Sequence, residues 1–263
     1  MQRLIAHSIC LILVISAKAA AEPSFEHYVA GNPGNVDAPT SGLVVLQGGG
    51  TDVDSNYARM GEAAGGGDFL VLRASGGNDY NDYILALCAC DSVETIVFHD
   101  RKAAHDPFVL TAIRRAEALF IAGGDQSRYV RFWQDTPVED AINALAARPA
   151  PIGGTSAGMA VLGEFVYSAM SDQSLTAVTG LADPFDEDVT LARDFLRSPR
   201  LDGIITDQHL EERDRIGRTV VLLARLMHDG WTETGRAIAA DRETALLIAP
   251  ATGRGEVFAT PDH

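Results

Sequence analysis

The sequence predicts an α/β protein: a three-layer α/β/α sandwich with a mainly parallel sheet and a nucleophile elbow. Short apolar runs that end in glycines or polar residues recur along the chain. Amphipathic helical spacing falls between or after them, which suggests parallel βαβ units. The third observation is "PIGGTSAGM" at 151–159, where a serine in a G-x-S-x-G setting separates one apolar run from the next. No composition shift, linker or internal repeat divides residues 42–263, so they are expected to form a single α/β domain.

Residues 1–21 are expected to be a secretory signal peptide. They have a basic start at Arg3, an apolar stretch from Leu4 to Ser16, and small-residue cleavage signatures at 17–19 and 19–21. The apolar run is shorter than the ~20 residues of a membrane span, so no membrane association is expected after its removal. The protein is then secreted or periplasmic. Residues 22–41, rich in Pro, Gly, Asn and Ser, read as an extended leader.

The first strand is "GLVVLQGGG" at 42–50, an apolar run closed by three glycines. Strands follow at 68–75, 93–100 and 118–126, the last also ending in glycines. Residues 138–148 have helical spacing, with Val138, Ile142 and Leu145 on one face. A short strand at 150–154 leads into the serine turn, and "LDGIITDQH" at 201–209 is another strand. Residues 215–230 form a helix with Gly230 at its end, and 235–250 read as two strands. Ligands of such sheets bind beyond the carboxyl ends of the strands. The chain near 48–50, 123–124, 153–154 and 207–209 should therefore line one site.

The formal net charge is −15, and it becomes −17 when Arg3 and Lys18 leave with residues 1–21. This acidity argues against nucleic acid as a partner, because phosphate binding needs a basic surface. Of three cysteines, Cys10 lies in the signal, leaving Cys88 and Cys90. Two buried thiols on one strand face are favoured over a bridge, which an oxidising compartment would also allow. No Cys/His cluster has the spacing of a zinc site, so no metal is expected. The triple glycine at 48–50 is followed by Val53 where a dinucleotide fingerprint needs glycine, so no such cofactor is expected.

Ser156 is the candidate nucleophile. The flanking glycines would let strand and helix pass closely, and the Ala157 amide would face a developing oxyanion. The same pattern also fits a phosphate-binding loop or a plain strand–helix turn. Gly123 and Gly124 could supply a second oxyanion amide, and Gln126 could orient substrate; a left-handed turn is the simpler reading. His209 lies just past a strand, where a general base would sit. Arg213, Arg215 and Arg218 follow it and suit a substrate carboxylate, though taken by themselves a solvated face paired with Glu211, Glu212 and Asp214 is the simpler reading. Asp207 is either structural or a holder of a guanidinium. His99, His105 and His228 have no supporting neighbours in sequence.

Taken together, strand-GGDQ, strand-GTSAGM and strand-DQH-x₃-R-x-R-x₂-R, in that order over roughly 42–250, resemble the cyanophycinase-like branch of the S51 serine peptidases, relatives of the aspartyl dipeptidases. The resemblance implies Ser156 as nucleophile and His209 as its general base. It implies an oxyanion hole near Gly124 and Ala157, and a substrate pocket of Gln126, Asp207, Gln208, Arg213, Arg215 and Arg218. It implies no metal or cofactor. The implied substrate is cyanophycin, a poly-aspartate carrying arginine on each β-carboxyl, cut to β-aspartyl-arginine; an aspartyl or isoaspartyl dipeptidase is the alternative. A non-catalytic binding protein that lost its triad acid is a further one, and a homodimer is an option. Where the family tends to carry Asp-Glu-x-Thr-Ala, residues 241–245 read Asp-Arg-Glu-Thr-Ala. Glu243 is the expected orienting acid, brought inward by a bulge at 240–242, ahead of Asp241 or a backbone carbonyl. The final strand of the family is expected to be short or absent.

Overall fold

Strands that are buried at nearly every position must be covered on both faces, and five such strands form the centre of this protein. The computed structural model describes residues 22–261, so the expected signal peptide lies outside the described residues. The chain runs through β1 (Phe25–Gly31), β2 (Leu43–Gln47), α1 (Asp54–Ala63), β3 (Asp68–Arg73), α2 (Asp79–Cys88) and β4 (Ser92–Phe98). It continues through α3 (Pro107–Arg115), β5 (Ala118–Ile121), α4 (Gln126–Trp133), α5 (Pro137–Ala146), β6 (Pro151–Thr155), α6 (Ala157–Ala160) and β7 (Val166–Tyr167). The last part holds α7 (Ala177–Ala182), β8 (Leu191–Ala192), β9 (Ile205–Asp207), α8 (Ile216–His228), β10 (Ala237–Ala239), β11 (Thr244–Ala249) and β12 (Arg254–Ala259).

The main sheet has the order β1-β4-β3-β5-β6-β2-β11-β12. The five inner strands from β4 to β2 are parallel, while β1, β11 and β12 join antiparallel. Alternate residues of one strand feed two different cores. Leu70, Leu72, Leu119 and Ile121 pack with α3, α4 and α5 through Ile113, Trp133 and Ile142. Phe69, Val71 and Phe120, from the same strands, pack with α1 and α2 through Tyr57, Met60 and Ile84. Helices thus cover both faces, as the sequence predicts. Local signals set their starts: Asp106 caps α3 ahead of Pro107, Asp125 caps α4, and Pro137 opens α5.

Several expectations change. The segment read as a leader contains β1, paired with β4 along its full length at the sheet edge. The strand expected at 201–209 is only β9, and it pairs with β10 in a separate two-stranded sheet. A final strand is present: β12 pairs with six residues of β11. Cys88 and Cys90 are joined by a disulfide rather than being free thiols. They do not lie on a strand. Cys88 ends α2, and Ala89 turns the chain through a left-handed conformation at φ 50°, bringing the two sulfurs together. Among the described residues no helix is long and apolar enough to cross a membrane.

Candidate active site

Strands β5, β6 and β2 are neighbours, and their carboxyl ends bring together Gly123–Gly124, Ser156 and Gly48–Gly50. Residues Gln47 and Thr155 are paired in register, so the chain leaves both strands at the same level. Ser156 then sits at φ 51°, ψ −117°, a conformation that non-glycine residues avoid. Two backbone hydrogen bonds hold it there: Ser156 N–H donates to the Gln47 carbonyl at 3.0 Å, and the Ser156 carbonyl accepts from Ala160 N–H at 3.0 Å. The helix that begins at Ala157 has an N–H at its start with no acceptor inside the helix. This is the geometry of a nucleophile elbow.

The glycines around it are required by contact. A Cβ on Gly154 would crowd the Gly158 backbone, and one on Gly158 would overlap the Ile121 carbonyl oxygen at the end of β5. Gly158→Ala must push α6 away from β5, and overpacking of this kind costs about 1–3 kcal/mol. We expect the urea midpoint of Gly158→Ala to fall accordingly; an unchanged midpoint would contradict the packing described.

His209 follows β9 at φ 49°, and its N–H donates to the Gly48 carbonyl at 3.0 Å. Its Nε2 is 2.9 Å from Ser156 Oγ. Gly49, at φ +108°, lies against the ring so closely that a Cβ there would overlap Nε2. The glycine run after β2 therefore serves approach of backbone to imidazole.

On the other side of the ring, His209 Nδ1 is hydrogen-bonded to the Glu212 carboxylate. This corrects the expectation for Glu243. The carboxylate of Glu243 instead pairs with Arg242 and accepts from Thr51 Oγ1 at 3.2 Å. The physical reason is the path of the 48–51 loop. Gly49 touches His209, while a Cβ on Gly50 would face Arg242 and Glu243. Glu243 itself is in the left-handed region at φ 58°, its N–H on the Gly49 carbonyl. Asp241 contributes indirectly: its Oδ1 accepts from the N–H groups of Glu211 at 3.2 Å and Glu212 at 3.1 Å, fixing the turn that carries Glu212. Glu212 is three residues past His209 in a turn rather than a helix, so its spacing alone did not mark it.

Burial holds the His209 imidazole below its ordinary pKa, against the opposing pull of Glu212. The hydrogen bond from His209 holds the Glu212 carboxyl below the usual range. The pair is thus a neutral imidazole backed by a carboxylate at neutral pH, which is the state a general base needs.

Ser156 opens onto a cavity of about 420 Å³ whose lining includes Gln126, Tyr167, Gln208 and the guanidinium-bearing Arg131, Arg213, Arg215 and Arg218. Gly124, at φ +142°, is on its wall. Four arginines in one cavity of a chain with net charge −15 mark it as a place for anions. Asp207 is the second correction. It is buried, it binds the Arg218 guanidinium, and it accepts from Thr219 Oγ1 at 2.7 Å and Gln208 N–H at 2.9 Å. With both oxygens so engaged, it holds Arg218 in place rather than facing a ligand. Arg218 lies 4.8 Å from the Tyr167 ring centre, stacked on its face. Arg215 is held by the Gln208 side chain and its carbonyl, and burial lowers its guanidinium to about 10, still cationic. Gln126 reaches the Tyr167 carbonyl at 3.5 Å. Arg131 and Tyr167 are cavity residues that sequence motifs did not indicate. Among the described residues no three His, Cys, Asp or Glu side chains form a metal-holding group.

A profile of Peptidase family S51 matches residues 83–182. Curated relatives include a cyanophycinase of Trichormus variabilis, 27% identical over 135 residues that cover 51% of this chain and 42% of that protein. A cyanophycinase of Synechococcus elongatus is 29% identical over 130 residues, 49% of this chain and 37% of that protein. The matched segment is therefore less than half the length of these relatives. Among solved structures, a peptidase from an acI-B1 Actinobacterium has a TM-score of 0.58 at 16% identity, covering 84% of this chain and 89% of that one. A candidate peptidase E protein from Listeria monocytogenes EGD-e has a TM-score of 0.50 at 13% identity, covering 83% and 98%. These two likenesses concern the fold, the mainly parallel sheet flanked by helices. In sequence, residues 83–182 are what this chain shares with peptidase family S51.

Proposed function

We propose that this protein is a serine peptidase that hydrolyses aspartyl bonds through an acyl-enzyme. The observation that carries this is Ser156 Oγ at 2.9 Å from His209 Nε2, at the wall of a cavity lined by arginines. In the first step Ser156 Oγ attacks the scissile carbonyl carbon and its proton passes to His209 Nε2. Glu212 accepts a hydrogen bond from Nδ1–H and stabilises the imidazolium that forms. The N–H groups of Gly124 and Ala157 serve as the oxyanion donors. The tetrahedral adduct collapses, the proton moves from His209 to the leaving amine, and Ser156 keeps the acyl group. Water then attacks the ester, with His209 taking and returning its proton, and the free acid leaves.

The substrate carboxylate belongs with Arg213 and Arg215, whose planar forks match it. Cyanophycin is the first substrate to test, because the curated relatives are cyanophycinases. A dipeptidase acting on aspartyl or isoaspartyl peptides uses the same residues. Turnover of purified cyanophycin against that of α- and β-aspartyl dipeptides separates the two, and no turnover of any would overturn the proposal. The reading of a binding protein without a triad acid loses its basis, since Arg242 at the expected position matters little when Glu212 backs His209. Replacement of Arg215 by Lys is expected to lower kcat/KM about tenfold, because a lysine cannot keep both the Gln208 contact and a bidentate carboxylate. Unchanged kinetics in Arg215→Lys would place this arginine outside substrate binding.

The protein acts outside the cytoplasm in this reading. The signal-like residues 1–21 support it, as does the Cys88–Cys90 disulfide, a bond of oxidising compartments. N-terminal sequencing of exported protein checks the cut near residue 22.

A further inference from the structure

We propose that the α4 side of the cavity is a second anion subsite, in which Arg131 takes a free carboxylate lying beyond the aspartyl unit held at Arg213 and Arg215. The proposal rests on the reading above only in taking the cavity as the substrate's place. Arg131 sits in the last turn of α4 and is exposed, yet its side chain is not extended into solvent. It folds across to another segment, with Nε 3.2 Å from Met170 Sδ and Nη2 donating to the Met170 carbonyl at 3.3 Å. The helix end that carries it is pinned as well, because the Arg131 carbonyl accepts from Arg101 Nη1 at 2.7 Å. An arginine serving only the helix dipole would turn to the carbonyls of its own helix.

Each of the other guanidiniums on the cavity wall has a protein partner, and Arg213 and Arg215 are assigned above to the first carboxylate. Arg218 belongs to Asp207, Arg215 to Gln208, and Arg213 stands 4.0 Å from Glu212. Among the described residues Arg131 has no carboxylate within 4.0 Å. The two carboxylates on the cavity wall do not neutralise it. Asp125 caps α4 through Ser127 N–H and lies 4.0 Å from Arg128, and Asp172 is exposed on the rim. A guanidinium held at a cavity wall by Met170 and lacking a counter-charge among the described residues suits an anionic acceptor from outside the chain. The ligand class is an aspartyl peptide with a second free carboxylate. A C-terminal residue supplies one, and so does the arginine α-carboxylate that each cyanophycin side chain carries.

The test uses the Ser156→Ala protein, so that ligands stay intact, and titration calorimetry. The probes are aspartyl-alanine and aspartyl-alanyl-alanine, each as free acid and as C-terminal amide, and a short cyanophycin fragment. At one of the two peptide lengths the acid is expected to bind about tenfold more tightly than the amide, the size of one charge-assisted contact. Adding Arg131→Met should bring that ratio to near one while the amide's affinity stays the same, and Arg131→Lys should keep part of it. The fragment's affinity should fall with the acids' if cyanophycin supplies the carboxylate, and stay level if only C-terminal acids do. Equal weakening of acid and amide, or a ratio that Arg131→Met leaves alone, overturns the subsite. If wild-type protein cleaves no aspartyl peptide while the ratio still depends on Arg131, hydrolysis is refuted and the subsite stands. If no probe binds, both are refuted.

Discussion

Hydrolysis of an aspartyl peptide by Ser156→Ala is expected to fall by about 10³–10⁶-fold, the range seen when a triad nucleophile is removed. The fold should survive. Ser156 is partly exposed, its backbone is held by Gln47 and Ala160 rather than by its hydroxyl, and alanine meets the same strain at φ 51°. A change in stability within about 1 kcal/mol is expected, as for substitutions outside packed interiors. Steady-state turnover with thermal unfolding of the same preparation checks both halves. Normal turnover would mean that another group attacks, and the elbow would then be only a turn.

The second large effect is expected at Glu212. In Glu212→Gln the amide N–H₂ can donate to His209 Nδ1, which forces the ring proton onto Nε2, facing Ser156. That is the wrong tautomer for a base, and the imidazolium loses its counter-charge, so kcat should drop by about 10²–10⁴. The pH profile adds a sign. Burial lowers the His209 pKa and Glu212 raises it. Activity appears as pH rises through the His209 pKa, because the neutral ring is the base. Removing the Glu212 charge lowers that pKa further, so the acid limb of kcat/KM should move to lower pH in the variant. Glu243→Gln should cost less than tenfold, because its carboxylate serves Arg242 and Thr51. A larger loss at Glu243 than at Glu212 would return the orienting role to the residue the sequence pattern favours.

The legible parts of the fold were those where one short run carries a whole element. Runs such as "LVVLQGGG" and "ALFIAGG" mark buried parallel strands and the place where they stop. Helices α1, α2 and α4 were harder, since tyrosines, asparagines and acidic residues interrupt their apolar faces. Edge strand β1 is half-exposed with Gly31 at its end, so it reads as loop until its partner β4 is known. Within the site, Ser156 and His209 stood out because each follows a strand, and sheet topology brings strand ends together. Glu212 did not, because a glutamate among Glu211, Arg213 and Asp214 looks like any solvated run. What distinguishes it is the Asp241 carboxylate holding its turn from 29 residues away, a long-range contact with no local trace. The pocket role that the resemblance implies for Asp207 failed for the opposite reason: Gln208 beside it lines the cavity, while its own oxygens turn to Arg218 and Thr219 on α8, which is the guanidinium-holding reading.

The positive cavity in a negative body has a consequence for how ionic strength acts. An anionic peptide approaching a chain of net charge −15 is repelled at long range and attracted only near the arginines. At physiological ionic strength the Debye length is ~8 Å, short enough to mute the repulsion of the whole body while leaving contacts inside the cavity. Added salt should then speed capture of a dicarboxylate peptide from very dilute buffer before it weakens binding at higher concentration, giving kcat/KM a maximum. Cyanophycin carries one guanidinium and one carboxylate per unit and is neutral overall, so its capture should lack the rising phase. Falling rates from the first addition of salt, for the dicarboxylate, would show that the arginines dominate the field well outside the cavity mouth.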